Sequence, residues 1–281
     1  MKKGFVVTIS VAILLSVLLI ASVYYLRSNQ AEQKLILEST SALKVSDIAS
    51  DIAEDTKSVF GFRISAESSA NSYEIKIQDS IPIKTSHSNI SSWKGFIEGP
   101  YSEKRNVKIS MCNLTPSTEL QFSNGIRYVR SIDENYVLFY APSSDTEAYS
   151  YDINLYFSGG YYDDENSIEW SCDLGTTKII LRLRDASGLP LETVCNASNS
   201  DDKEYIIKFK DLSGDINVSF GSIAGGTGAI RVQNNLSERN LDLNLSASIK
   251  ATNPVRIYWP CDLNIAMGNS KWSSEVTLFS G

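Results

Sequence analysis

The chain has 281 residues, 42% apolar and 21% charged, an ordinary globular composition that excludes a wholly disordered protein. Its formal net charge is −7; Lys2, Lys3 and Arg27 are the only charges in the first 27 residues, which leaves 23 of the 26 basic residues against all 33 acidic ones, a net of −10. A surface of that sign repels phosphate backbones and anionic headgroups, so no nucleic acid is expected as a partner.

After Met1-Lys2-Lys3-Gly4 the chain runs 22 residues, Phe5 to Leu26, without a charge. At about 1.5 Å per residue a helix of that length spans roughly 33 Å, the hydrocarbon thickness of a bilayer. Residues 1–27 are therefore expected to be a cytoplasmic leader and a single-pass transmembrane helix. Lys2 and Lys3 keep the N-terminus inside, which sends the C-terminal domain outside the cell. Tyr24 and Tyr25 suit the outer interface. A cleaved secretory signal is the competing reading, with Ala21 and Ser22 as its small residues, but the apolar run is longer than a usual signal core.

Residues 28–61 read as an amphipathic extension of that helix. Val45, Ile48, Ala49, Ile52, Ala53, Thr56 and Val59 recur at three- and four-residue steps, opposite Asp47, Ser50, Asp51, Glu54 and Asp55. No proline occurs between Met1 and Ile81, and Gly61 is the expected stop. Such a stripe needs a partner, either the chain's own sheet or helices of neighbouring subunits.

Beyond Gly61 the apolar period becomes two. Tyr73, Ile75 and Ile77 alternate with polar residues, as do Tyr151, Ile153, Leu155 and Phe157, then Ile216, Val218 and Phe220, then Leu241 to Ile249. Asn124-Gly125 reads as a two-residue hairpin, and Ser187-Gly188, Ser213-Gly214 and Asn253-Pro254 as further turns. About a dozen or more strands without intervening helices predict a β-sandwich over 62–281, or two in tandem with a soft boundary near 141–150. The fold class expected is mainly β with a long N-terminal α-helix: a transmembrane helix carrying an extracellular β-sandwich ectodomain.

Cys112, Cys172, Cys195 and Cys261 all lie in the β region, with no C-x-x-C pair, and His87 is the sole histidine. Zinc is not expected; two disulfides are. Three connectivities are possible, and the pairing preferred here joins 112 with 172 and 195 with 261. Sequons stand at Asn89, Asn113, Asn196, Asn217, Asn235 and Asn244, of which Asn217 and Asn244 occupy outward phases of alternating strands.

No motif marks an enzyme, and no cofactor is expected. His87, among Ser86, Ser88 and Asn89, reads as a solvated loop residue without a carboxylate to orient it. Gly225-Gly226-Thr227-Gly228 lacks the lysine of a phosphate loop and reads as a turn. Asp163, Asp164, Glu165 and Asn166 offer oxygen ligands to calcium in one loop, although a solvated acidic turn is the plainer reading. Trp93, Trp170, Trp259 and Trp272 suit either sugar stacking or a sandwich core.

Lys2-Lys3-Gly4-Phe5, followed by an apolar helix, an amphipathic extension and a β domain, resembles the type IV pilin and archaellin superfamily. The resemblance implies a peptidase cut between Gly4 and Phe5, helices bundled into a filament core, and pilin-like subunits as oligomeric partners. The chain departs from the pattern at Ile9, the fifth position after that cut, where many pilins carry glutamate. That departure favours an accessory subunit over a major one. An anchored adhesion or carbohydrate-binding module unrelated to pili is the alternative.

Overall fold

The computed structural model describes the chain apart from residues 1, 70–71, 82–83, 113, 115–116, 132, 142–147, 173–174, 189, 211, 238, 251–254, 269 and 281, and apart from the side chains of 2–13, 69, 84–87, 277 and 279–280. The side chain of Phe5 at the expected cut, sequon Asn113, the heart of the 141–150 stretch and the Asn253-Pro254 turn therefore lie outside the described residues.

One helix, α1 (Lys2–Val59), runs unbroken through the apolar segment and the extension. With no proline and no glycine after Gly4, nothing interrupts its hydrogen-bond ladder until the Phe60 N–H donates to the Thr56 carbonyl at 3.2 Å. Gly61 then takes φ +69°, the left-handed turn that ends a helix and that glycine adopts without a Cβ clash.

The strands follow in chain order. The first are β1 (Arg63–Ser69), β2 (Ser72–Ile81), β3 (Lys108–Met111), β4 (Ser117–Phe122), β5 (Arg127–Ser131) and β6 (Tyr136–Ala141). Next come β7 (Ala148–Tyr156), β8 (Tyr161–Tyr162), β9 (Thr177–Arg184), β10 (Pro190–Ala197), β11 (Lys203–Ile207) and β12 (Phe209–Lys210). The last are β13 (Ile216–Ile223), β14 (Gly226–Asn234), β15 (Leu241–Lys250), β16 (Arg256–Met267) and β17 (Ser270–Ser280).

These strands make two large sheets and a small two-stranded one, β12 with β8. The first large sheet has the order β1-β2-β15-β7-β9-β10, antiparallel except for the β7–β9 pair. The second runs β11-β13-β14-β6-β5-β4-β16-β17, with β3 also on β16. Their inner faces share one core. Tyr151 of the first sheet meets Phe139 and Phe220 of the second edge-on, at 6.0 and 6.1 Å between centroids, and donates its hydroxyl to the Gly228 carbonyl at 2.7 Å. The two faces thus pack as a sandwich.

Helix α1 is part of that core. Val45, Ile48, Ala49, Ile52 and Thr56 are buried, with Ala53 and Val59 half-buried against the cluster. The stripe lies on β17 and β16, so the chain's own sheet is its partner. Arg105 reaches Asp51 at 3.4 Å and Lys44 donates to the Arg105 carbonyl at 3.2 Å, adding a polar tie to the opposite flank.

Three expectations are corrected. The strands are interrupted by helix α2 (Lys84–Phe96), a π-helical turn (Ile97–Tyr101) and α3 (Ser102–Arg105), so His87 sits on a helix backbone. The serine-rich composition hides the signal, which is Ile90, Trp93 and Ile97 at helical steps, with Ile90 and Ile97 buried. The disulfides join Cys112 with Cys261 and Cys172 with Cys195, with Cα separations of 5.1 and 5.2 Å. Antiparallel pairing of β3 with β16 brings the first pair together across 149 residues of sequence, which no neighbour rule foresees. In the chain-entropy picture, loops of 149 and 23 residues correspond to about 5 and about 3.4 kcal/mol of stabilisation. Finally, the Asn124-Gly125 turn has three residues, because the Phe122 N–H donates to the Ile126 carbonyl and Gly125 takes φ +87°.

Where the helix enters the sandwich, a buried ion pair joins three elements. Arg130 of β5 is 1% exposed and sits with its Nε 2.7 Å from the Asp79 Oδ2 of β2. Its Nη2 donates to the Asp79 Oδ1 at 2.8 Å, and its Nη1 donates to the Phe60 carbonyl at the end of α1 at 3.1 Å. Tyr128 donates to the Asp79 Oδ2 at 2.7 Å, and the guanidinium lies 4.6 Å from the centroid of Phe62. Burial first, and then the neighbouring Asp79 carboxylate, pushes the Tyr128 phenol well above its ordinary pKa and keeps it a donor. Arg130→Met alone strands a buried carboxylate and is expected to cost about 3 to 5 kcal/mol in urea denaturation, whereas Arg130→Met with Asp79→Leu should recover most of that loss. Equal losses in the single and double variants would contradict the pairing.

Candidate functional site

The most distinctive surface is the outer part of α1. Every residue from Leu14 to Thr40 is exposed. That is a bare rod of about 40 Å at 1.5 Å per residue. Leu19 is 66% exposed, Ile20 68% and Tyr24 77%. From Leu14 to Leu26 the side chains are apolar or uncharged on all sides, whereas from Arg27 onward charges intersperse, with Lys34 and Glu38 paired at 3.9 Å one turn apart. A helix apolar on every side belongs inside a membrane or a bundle.

The expected span Phe5–Leu26 is only partly within view, since the side chains of 5–13 lie outside the described residues. Among the described residues, no helix is long and apolar enough to cross a membrane.

The remaining sequence candidates do not converge. Asp163 accepts from the Asn166 amide at 2.8 Å and its carbonyl accepts from the Ser167 hydroxyl at 2.6 Å, which closes a local turn, while Asp164 and Glu165 point to solvent. Among the described residues, no three His, Cys, Asp or Glu side chains come together as a metal site. Trp170 and Trp259 are buried, edge-on to Tyr205 at 5.5 Å and to Phe60 at 5.1 Å; Trp93 and Trp272 are half-buried against the same core. The indoles therefore form no common sugar-stacking face. Gly225 follows Ala224, both at positive φ, and the pair makes the β13–β14 hairpin turn.

The described sequons differ in setting. Asn89 on α2 and Asn196 on β10 are exposed. Asn235 is exposed but donates to Asp215 at 2.6 Å, and Asn217, half-buried, donates to Glu204. Asn244 is half-buried near the middle of the outer face of the first sheet, opposite Gln78 on one side and Asn154 on the other.

Among the described residues, two clefts flank the point where α1 enters the domain. One, of about 840 Å³, lies between the end of α1, β1 and β17, with Phe60, Phe62, Ile64 and Leu278 as its apolar lining. The other, of about 430 Å³, is polar and is lined by Arg63, Gln78, Ser80, Tyr156, Asp242 and Asn244 above Asp79. Sequence reasoning missed this second cleft. The available signal was chemical: asparagine and aspartate are depleted in strands, yet Asn154 and Asn244 are interior to β7 and β15.

No known family model, curated protein or solved structure matches this chain.

The division of α1 into a docked and a bare part is measurable. Ile52→Ala, at a fully buried position, should lower the unfolding free energy of the detergent-solubilised chain by about 2 to 5 kcal/mol. Ile36→Ala, at a position 64% exposed, should change it by less than about 0.5 kcal/mol. Comparable losses at both positions would contradict the division.

Proposed function

We propose that this chain is an extracellular surface protein carried on its N-terminal helix and used as an accessory, pilin-like subunit. In this reading Phe5–Leu26 crosses the membrane after synthesis, residues 28–61 lead outward, and 62–281 face the exterior. The observation that carries it is α1 itself, a single unbroken helix with a bare apolar outer part and an inner stripe built into the β domain. A tether to lipid needs only the outer part. Building the inner part into the domain gives each subunit a fixed handle by which several copies pack side by side.

The compartment has separate support. All four cysteines are paired, as an oxidising exterior permits and a reducing cytoplasm does not. Lys2 and Lys3 before the apolar run set the same orientation. Isoleucine at position 9 removes the acidic group that many pilins carry there, and the reading as an accessory subunit rests on that.

A plain membrane anchor shares the helix and the β domain, so leader processing separates the two readings. Mass spectrometry of protein from native membranes should find a mature chain beginning at Phe5, with a fraction recovered in sheared surface filaments. An intact lysine leader, together with recovery only from detergent-extracted membranes, would leave the plain anchor standing.

A further inference from the structure

The polar cleft above Asp79 is lined by β-domain residues and by none of the bare part of α1, and its chemistry is specific. Two rows of side chains cross the strands β2, β15 and β7 on the outer face of the first sheet. Register places Ser80, Asp242 and Tyr156 in one row and Gln78, Asn244 and Asn154 in the next. With strands about 4.8 Å apart and same-face residues about 7 Å apart, the array is about 10 Å by 7 Å. The Ser80 hydroxyl donates to the Asp242 Oδ1 at 2.6 Å and Asn154 donates to Asp152 at 2.7 Å, which orients two members. Among the described residues, the amides of Gln78 and Asn244 have no hydrogen-bond partner, so each offers two donors and an acceptor to whatever lies above. Tyr156, 38% exposed, presents a ring at one end with the Arg184 guanidinium 5.7 Å from its centroid.

These residues run against local preference. Valine, threonine or tyrosine would suit these outward strand positions better than Asn154, Asp242 and Asn244, and no structural bond of the Asn244 amide offsets the choice. A position that breaks a local rule without structural compensation is where a function is expected.

The geometry excludes most partners. β2, β15 and β7 are interior strands paired on both sides, so an extended peptide has no free edge to join. Among the residues that line the cleft, Arg63 is offset by Asp242, and Arg184 lies outside that lining, beside Tyr156. What remains is a small neutral ligand that both donates and accepts hydrogen bonds and has one apolar face to lie against an aromatic ring.

We propose that this cleft binds a neutral saccharide unit, its hydroxyls held by Gln78, Asn244 and Asp242 and its C–H face set against Tyr156. The site is independent of leader processing and filament assembly. Asn244 is also a sequon, and a glycan attached there would fill the same cleft. The test therefore uses the full chain with Asn244 unmodified, verified by intact mass, in a detergent without a sugar headgroup.

Saturation-transfer NMR against a panel of neutral mono- and disaccharides should show transfer to ring protons of at least one member, with a Kd on the order of 1 mM. Tyr156→Ala and Gln78→Ala should each weaken binding at least about tenfold, whereas Tyr156→Phe, which keeps the ring, should retain it. Lys178→Ala, on β9 outside the array, should change nothing. Absence of transfer from every panel member would overturn the proposal. So would transfer only to uronic or sulfated sugars, or transfer equal in wild type, Tyr156→Ala and Gln78→Ala.

Discussion

The structure turns on one buried cation. Arg130 enters the core at an inward-facing strand position and finds the Asp79 carboxylate from the other sheet and the Phe60 carbonyl, just past the end of α1, within hydrogen-bond reach. A charge withdrawn from water is tolerated only when its partners are close and complete, and each partner here belongs to a different element. The pair therefore acts as a register pin. Sliding β5 or shifting β2 would leave a buried charge unmatched, at a cost of about 3 to 5 kcal/mol, and lifting the helix end would take the Phe60 carbonyl from the Arg130 Nη1. Phe60 and Phe62 cover the pair on either side of Gly61, and Trp259 closes over Phe60.

From that pin the rest of the molecule follows in two directions. Inward, the alternating faces of β2, β15, β5 and β6 are set so that their apolar side chains meet in one core, with Tyr151 bridging to Phe139 and Phe220. Outward, α1 is clamped along Val45–Thr56 and leaves the domain as a bare helix. One helix thus carries two patterns. Its docked part obeys the rule of a surface helix with one apolar stripe, and the stretch that ends at Leu26 has the composition of a helix apolar all round. The change comes between Thr40 and Val45, where exposure gives way to burial.

Much of this was legible in the residues. The three- and four-residue steps from Val45 to Val59 foretold the docked face, and the alternation in β2, β7, β13 and β15 foretold strands whose inward members are buried, with Tyr73 at the start of β2 half-buried. Gly61 foretold the helix end because only a residue without a Cβ turns left-handed there at no cost. The failures were of long range or of masked period. Helix α2 was hidden by serines at its exposed positions. The pairing of Cys112 with Cys261 depends on β3 lying against β16, a contact that no local pattern encodes. Arg130 carried a signal that went unread, since it shares the inward phase of Tyr128 in a short alternating strand. The polar cleft was missed because its residues come from three strands far apart in sequence, and their oddity shows only once β2, β15 and β7 are side by side.

The central claim is that the inner half of α1 belongs to the β domain and is held there through the Arg130 pin. Native-state hydrogen exchange of the full chain tests it directly, because amides that open together exchange together. Val45 to Val59 should be protected to the same degree as β16 and β17, and Asp79→Ala should lower protection in the helix end, β2 and β5 at once. Helix amides that exchange independently of the sheets, or a helix end indifferent to Asp79→Ala, would contradict it.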